Sequence, residues 1–164
     1  MLPHSPETVW RALTEEEHLK TWFPTTIEGQ LKTGARLTFR HRGAEMPPTT
    51  GEMIACERAR VLEFTWGFSG DERDRPEHTR VELHPEGKGC RLVFATTYDQ
   101  VGKSARDAAG WHDCFDLLEV HLRGERLATS GPERWKPLNR LYRERFGPEA
   151  ATIGPPETMK EYRE

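Results

Sequence analysis

The chain has 164 residues, a formal net charge of −3 and 31% charged residues; one domain with one core is the default for that length. The balanced charge, with no Lys/Arg stripe interleaved with aromatics, argues against nucleic acid as a partner. No stretch approaches the roughly 18 apolar residues of a membrane span, so none is expected.

Cys56, Cys90 and Cys114 are widely spaced and odd in number, with no CxxC pair. That pattern suggests neither a disulfide framework nor a zinc site. Reduced thiols in a cytoplasmic protein are the expectation. The opening MLPHSPETVW has no charged region followed by an apolar one, so no secretory leader is expected.

SPETVWRAL places Ser5 as an N-cap and Pro6 at the first helical position. Val9, Trp10 and Leu13 then share a face. TEEEHLKTWF follows at once, and Thr14 with Glu17 reads as a capping box. The spacing predicts two short helices, about 6–13 and 15–22, ended by Pro24. From 27 to 98 the period changes to alternation. RLTFRHR (36–42) puts Leu37, Phe39 and His41 on one face, and VLEFTWG (61–67) does the same for Leu62, Phe64 and Trp66. TRVELH (79–84) and CRLVFATTY (90–98) add Val81, Leu83, Leu92, Phe94 and Thr96. GEMIACE (51–57) and IEGQL (27–31) are weaker strands. Alternation with one polar face predicts an antiparallel sheet covered on one side. HPEGKG (84–89) is a hairpin turn, and GFSGDERDRPE (67–77) a long polar loop.

AAGWHDCFDLLEVHLRGE (108–125) then lies in one long helix, capped by Ser104 with Asp107 and running to about Leu127. Its apolar stripe is Trp111, Cys114, Phe115, Leu118 and Leu122, with Asp113, Asp116, Glu119 and Arg123 elsewhere. It is the only element long enough to cover a sheet of about six strands. Beyond residue 131, Leu138, Leu141, Tyr142 and Phe146 form a short amphipathic helix that stops at Gly147–Pro148, before a Gly/Pro-rich extended arm. The division expected is a domain over 1–130 and a C-terminal extension over 131–164.

Three stretches carry a family resemblance: PETVWRALTEEEHLKTWF (6–23), GEMIACERARVLEFTWG (51–67) and GWHDCFDLLEVHL (110–122). They are similar to the P-x-x-V-W opening, the G-x-V…T-W hairpin and the G-W helix of the helix-grip, START-like superfamily known as SRPBCC. Within it the chain most resembles homologues of the activator of heat-shock-protein-90 ATPase. The resemblance implies an α+β fold: a curved antiparallel sheet of about six strands wrapped on one long C-terminal helix, with two short N-terminal helices. It also implies a cavity between sheet and helix, where members hold apolar molecules; some are enzymes and a few act on a chaperone. Members usually begin with a strand before the first helix. Here only MLPH precedes Ser5. The expectation is an upstream start or a truncated edge, covered by the C-terminal arm, by a partner chain, or left open.

On that view Phe39, Met53, Phe64, Trp66, Val81, Phe94, Trp111 and Phe115 would line the cavity, and Thr79 and Thr96 would orient a ligand by hydrogen bonds. Each also reads as ordinary core or sheet. Gly110 weakens its helix, through close approach of a neighbouring loop or to leave room for a ligand. The expected function is binding of a small apolar or aromatic molecule, with no cofactor and no metal. Alternatives are a chaperone-linked or other protein-interaction module, with a possible homodimer through the C-terminal extension, and a cyclase- or hydrolase-type enzyme. The enzyme version needs two convergent ionisable groups, for which His41 and Glu52 are the weak candidates.

Overall fold

The structure, a computed structural model, describes residues 1–42, 47–67, 75–125, 131–155 and 161–162. It opens with α1 (Pro6–Thr14) and α2 (Glu16–Trp22). Ser5 caps α1 by accepting from the Thr8 backbone N–H at 3.3 Å, with Pro6 in the first turn. The expected capping box at Thr14 does not form. Only Glu15 separates the two helices, so Thr14 is still inside α1 and its hydroxyl donates to the Trp10 carbonyl at 2.8 Å. Glu15 occupies the cap of α2, its carboxylate held by Arg11 at 2.9 and 3.1 Å. The indole of Trp22 donates to the Ala12 carbonyl at 2.9 Å and locks the two helices together.

Six strands follow: β1 (Thr25–Glu28), β2 (Arg36–His41), β3 (Thr49–Glu57), β4 (Val61–Trp66), β5 (Glu77–Glu86) and β6 (Gly89–Thr97). They pair antiparallel in chain order as one curled sheet. Alternation decides its two faces. Leu37, Phe39, Met53, Leu62, Phe64, Val81 and Leu83 turn inward and are at most 6% exposed. The outer face carries ion pairs: Arg80 and His84 reach Glu82 at 2.7 and 3.0 Å. Between Met53 and Ala55 the register slips, so Ile54 is the extra residue of a bulge that bends β3 and helps curl the sheet. Beside it β3 and β4 approach closely: a Cβ at Gly51 would stand 1.8 Å from the Thr65 carbonyl oxygen. Part of the expected loop over 67–77 lies outside the described residues.

The outer edge of β6 is met by Leu2, which exchanges both backbone hydrogen bonds with Cys90 at 2.9 Å. This single antiparallel bridge stands where the resemblance implies a longer strand. A Cβ at Gly89 would come 2.4 Å from the Leu2 carbonyl oxygen, so the bridge needs glycine there.

A 3₁₀ turn (Val101–Lys103) leads into α3 (Ser104–Leu122), the long helix gripped by the sheet. Two sequence expectations differ here. Ser104 lies inside the helix and Lys103 precedes it without a side-chain cap bond; Asp107 is instead taken by Arg106, with 3.0 Å from Nη2 to Oδ2. The helix ends at Leu122 rather than near Leu127, because Gly124 takes φ +73° and the Gly124 and Glu125 N–H groups turn back to His121 and Val120. Leu127 itself lies outside the described residues.

The helix α4 (Pro132–Phe146) lies along α3 and buries Trp135, whose indole donates to the Arg106 carbonyl at 3.2 Å. This placement corrects the expected polar face of α3. Asp113 is 1% exposed and accepts from Arg134 of α4 at 2.6 Å. Leu141 and Phe146 of α4 remain 48% and 46% exposed. Past Gly147 the chain is not a simple extended arm. A 3₁₀ turn (Pro148–Ala151) brings Ile153 onto the Gly102 carbonyl at 3.0 Å, and a Cβ at Gly102 would meet Thr152 Oγ1 at 2.2 Å. Residues 156–160 of the expected arm lie outside the described residues.

Candidate functional site

Trp111 of α3 looks directly at the sheet, its ring 4.5 Å from Phe94 and 5.6 Å from both Trp66 and Phe23. Helix and sheet therefore touch at Phe94 and part on the other side of Trp111. There a cavity of about 460 Å³ opens. Its floor is one end of the sheet: Thr25 and His41, Phe39 and Thr49, and Trp66 and Glu77 are cross-strand pairs that all line it. One wall is the N-terminal half of α3, from Arg106 to Cys114, and the α2–β1 corner with Phe23 and Pro24 makes another. Arg42 fixes that corner, its guanidinium bonded to the Phe23 carbonyl and its backbone N–H to Pro24 at 2.8 Å. Trp135, Pro155 and Tyr162 close the outer side, with Trp135 and Tyr162 edge-on at 5.6 Å.

The cavity has an aromatic part and a charged part. Phe23, Phe39, Trp66 and Trp111 are linked by ring contacts of 5.6–6.2 Å. The Trp66 indole nitrogen is buried with no hydrogen-bond partner among the described residues. Gly110 faces open space, since a Cβ there would meet no atom of the described residues within 4 Å outside its own helix backbone. The close loop approach expected as one explanation for this glycine is absent among the described residues. Glu77, Arg106 and Asp107 make the charged end, and behind it Lys103 Nζ bonds Asp99 at 2.7 Å and Glu77 at 3.4 Å. Burial, reinforced by Asp107, holds the Glu77 carboxyl above the usual glutamate range. Burial also raises the Tyr98 hydroxyl beside it. Burial, with Asp113 adding to it, pushes the Cys114 thiol up to about 12, so this cavity-lining cysteine stays protonated and is a poor nucleophile.

The structure separates the nominated residues. Phe39, Trp66 and Trp111 line the cavity together with His41. Met53, Phe64 and Val81 are inside closed core, at 2%, 5% and 5% exposure, because the sheet is covered at their level by α1, α2 and the C-terminal half of α3. Phe94 and Phe115 pack on Trp111 at 4.5 and 5.9 Å, away from the opening. The Thr79 and Thr96 hydroxyls bond each other at 3.3 Å, and Thr79 is fully buried. Glu52 is exposed on the outer face opposite Arg36. It sits five register positions from His41, roughly 17 Å along the strands. His41 and Glu52 therefore do not converge, and this pair carries no acid–base chemistry.

Residues not nominated include Phe23, Glu77, Asp107 and Trp135. The parity of Thr79 and Val81 extends back to Glu77, so that signal was present in the alternation. The polar run over 67–77 hides it. Asp107 read as a cap, and nothing local in the sequence placed Trp135 across from α3.

One group away from the cavity has ligand-like spacing. Glu15, Glu17 and His18 bring one ligand atom each within 4.8 Å of one another. Glu15 is already held by Arg11, and Glu17 is 69% exposed. The opposite nitrogen of His18 bonds His121 of α3 at 2.9 Å and ties α2 to α3.

A family model described as activator of Hsp90 ATPase homolog 1-like protein matches residues 3–123. No functionally curated protein matches the chain. Among solved structures, CalU16 from Micromonospora echinospora is similar at 23% identity and a TM-score of 0.69, covering 92% of this chain and 82% of its own. Protein MLL2253 from Mesorhizobium loti is similar at 23% identity and a TM-score of 0.65, covering 77% and 95%. A conserved protein of unknown function, EF2215 from Enterococcus faecalis, aligns at 20% identity and a TM-score of 0.64, covering 88% and 80%. At these identities the likeness establishes the fold. The cover by CalU16 extends well past the span of the family match, so part of the segment that closes the cavity has a counterpart there.

Proposed function

The chain belongs to the activator of Hsp90 ATPase homolog 1-like family, and from that membership and the cavity geometry we propose that it binds a small, largely aromatic molecule between sheet and α3. The observation that carries this reading is the cavity of about 460 Å³ walled by Phe23, Phe39, Trp66 and Trp111. Its size lies within the range of small-molecule sites, and a mostly apolar wall with few polar groups is their usual chemistry. Gly110 supports it further. A glycine in mid-helix costs about 0.5–1 kcal/mol relative to alanine, and here the missing side chain leaves open volume beside Trp111 rather than admitting another backbone.

The reading assigns no reaction. Cys114 is held as a thiol, and His41 has no carboxylate partner among the described residues, its Nδ1 lying 3.2 Å from the Arg42 carbonyl oxygen.

Thermal unfolding with neutral aromatic probes tests the proposal. Naphthalene and 2-methylnaphthalene are expected to raise Tm in a saturable, concentration-dependent way. Gly110→Leu, which fills the space beside Trp111, is expected to abolish the rise. No shift with any neutral aromatic, or an equal shift in Gly110→Leu, would refute it.

A further inference from the structure

The charged end of the cavity is the part that apolar binding leaves unused. Glu77, Asp107 and Arg106 line it, and Lys103 with Asp99 stands behind Glu77; the five side chains are 15–20% exposed. Three carboxylates against two cations leave this group of side chains with one uncompensated negative charge. The two cations are committed. Lys103 is shared between Asp99 and Glu77 at 2.7 and 3.4 Å. Every nitrogen of Arg106 already donates: Nε and Nη2 to the two oxygens of Asp107, and Nη1 to the Gly154 carbonyl at 3.2 Å. Glu77 is less fully bonded. Among the described residues its only side-chain bond is the 3.4 Å contact from Lys103 to Oε1, and it lines the cavity together with Asp107.

We propose that the site selects an aromatic ligand bearing a basic nitrogen, with the ring among Phe23, Phe39, Trp66 and Trp111 and the cation against Glu77 and Asp107. This rests on the reading of the cavity as a small-molecule site and adds the ligand's charge. Two physical effects favour it. A cation entering this end neutralises an uncompensated carboxylate where water is scarce and Coulomb attraction is strong. The faces of Trp66 and Trp111 also attract an ammonium group passing over them. An anionic ligand meets the reverse: Arg106 cannot turn to it without abandoning Asp107, and the remaining charge repels it. A neutral ligand fills the aromatic part and leaves Glu77 unsatisfied.

Three ligands sharing one ring system isolate the charge: 2-naphthylmethylamine, 2-methylnaphthalene and 2-naphthoate, titrated calorimetrically into the full chain at neutral pH and low salt. The amine is expected to bind about tenfold tighter than the methyl compound, the gain of one charge-assisted bond, and the naphthoate weakest of the three. In Glu77→Gln the ratio of amine to methyl affinity is expected to fall towards one, with Asp107→Asn giving a smaller drop. Taking the ratio within each protein cancels any general loss of folding. A methyl compound that binds with no advantage for the amine overturns this inference and leaves the apolar-site reading standing. An amine advantage that survives both substitutions overturns the assignment to Glu77 and Asp107. Failure of all three ligands overturns the apolar-site reading, and this inference with it.

Discussion

Glu77 shows how one side chain couples the site to stability. Burial first, and Asp107 second, favour its protonated form in the folded chain. A carboxyl with a raised folded pKa binds its proton more tightly folded than unfolded. Its contribution is therefore best where it is protonated in both states, and declines as pH rises from the ordinary glutamate value through the folded one. Glu77→Gln removes that decline. Melting curves of both proteins from about pH 4 to about pH 8 should show the variant gaining on wild type across the window; parallel curves would contradict it. Gly110 makes the opposite kind of trade. Outside its own helix backbone, alanine at this position meets no atom of the described residues within 4 Å, so Gly110→Ala should stabilise the empty protein by about 0.5–1 kcal/mol in denaturant unfolding. A destabilised variant would mean that the space beside Trp111 is not open.

At the scale of elements, α3 is covered on two sides, and its sequence announced only one. The stripe of Trp111, Cys114, Phe115 and Leu118 was legible because 3.6-residue periodicity marks one buried face. The second face was not, because its key residue is an aspartate. Asp113 reads as solvent-facing until Arg134, 21 positions later, arrives at 2.6 Å. No local pattern encodes a pairing between helices whose connection includes residues 126–130. The pair makes an asymmetric prediction. Arg134→Met takes the guanidinium away from a buried carboxylate and should cost about 2–3 kcal/mol, less than a fully broken buried pair since Arg134 is 31% exposed. Asp113→Asn leaves Arg134 within 3.6 Å of Asp116 and should cost about 1 kcal/mol. Equal losses in urea unfolding would show that the charge on Asp113 is not what α4 neutralises. The capping expectations at Thr14 and Ser104 failed for a related reason, while Ser5 caps α1 as expected. A Ser or Thr three residues before an acid marks a helix start only if the chain is non-helical at that point, and at Thr14 the previous helix has not yet ended.

The whole molecule was legible in outline from two periodicities and three sequence stretches. Alternation over 27–98 gave the strands of a one-sided sheet, and the single long helix could only lie on its apolar face. Where sheet and helix separate was not legible. Strand parity selects every inward residue equally, and so nominated Met53, Phe64 and Val81 along with Phe39 and Trp66. Depth along the strands decides between them. At one end α1, α2 and the C-terminal half of α3 fill the curl; at the other, closure falls to Trp135, Pro155 and Tyr162, from a segment beyond the family match. That division is the account's central claim, and the indole N–H signals of the tryptophans test it most directly. In a proton–nitrogen correlation spectrum titrated with 2-methylnaphthalene, the signals of Trp66 and Trp111 should shift together and saturate, while that of Trp10, 6% exposed in α1, stays in place. Unmoved Trp66 and Trp111 signals at saturating probe, or equal shifts at all the indoles, would contradict it.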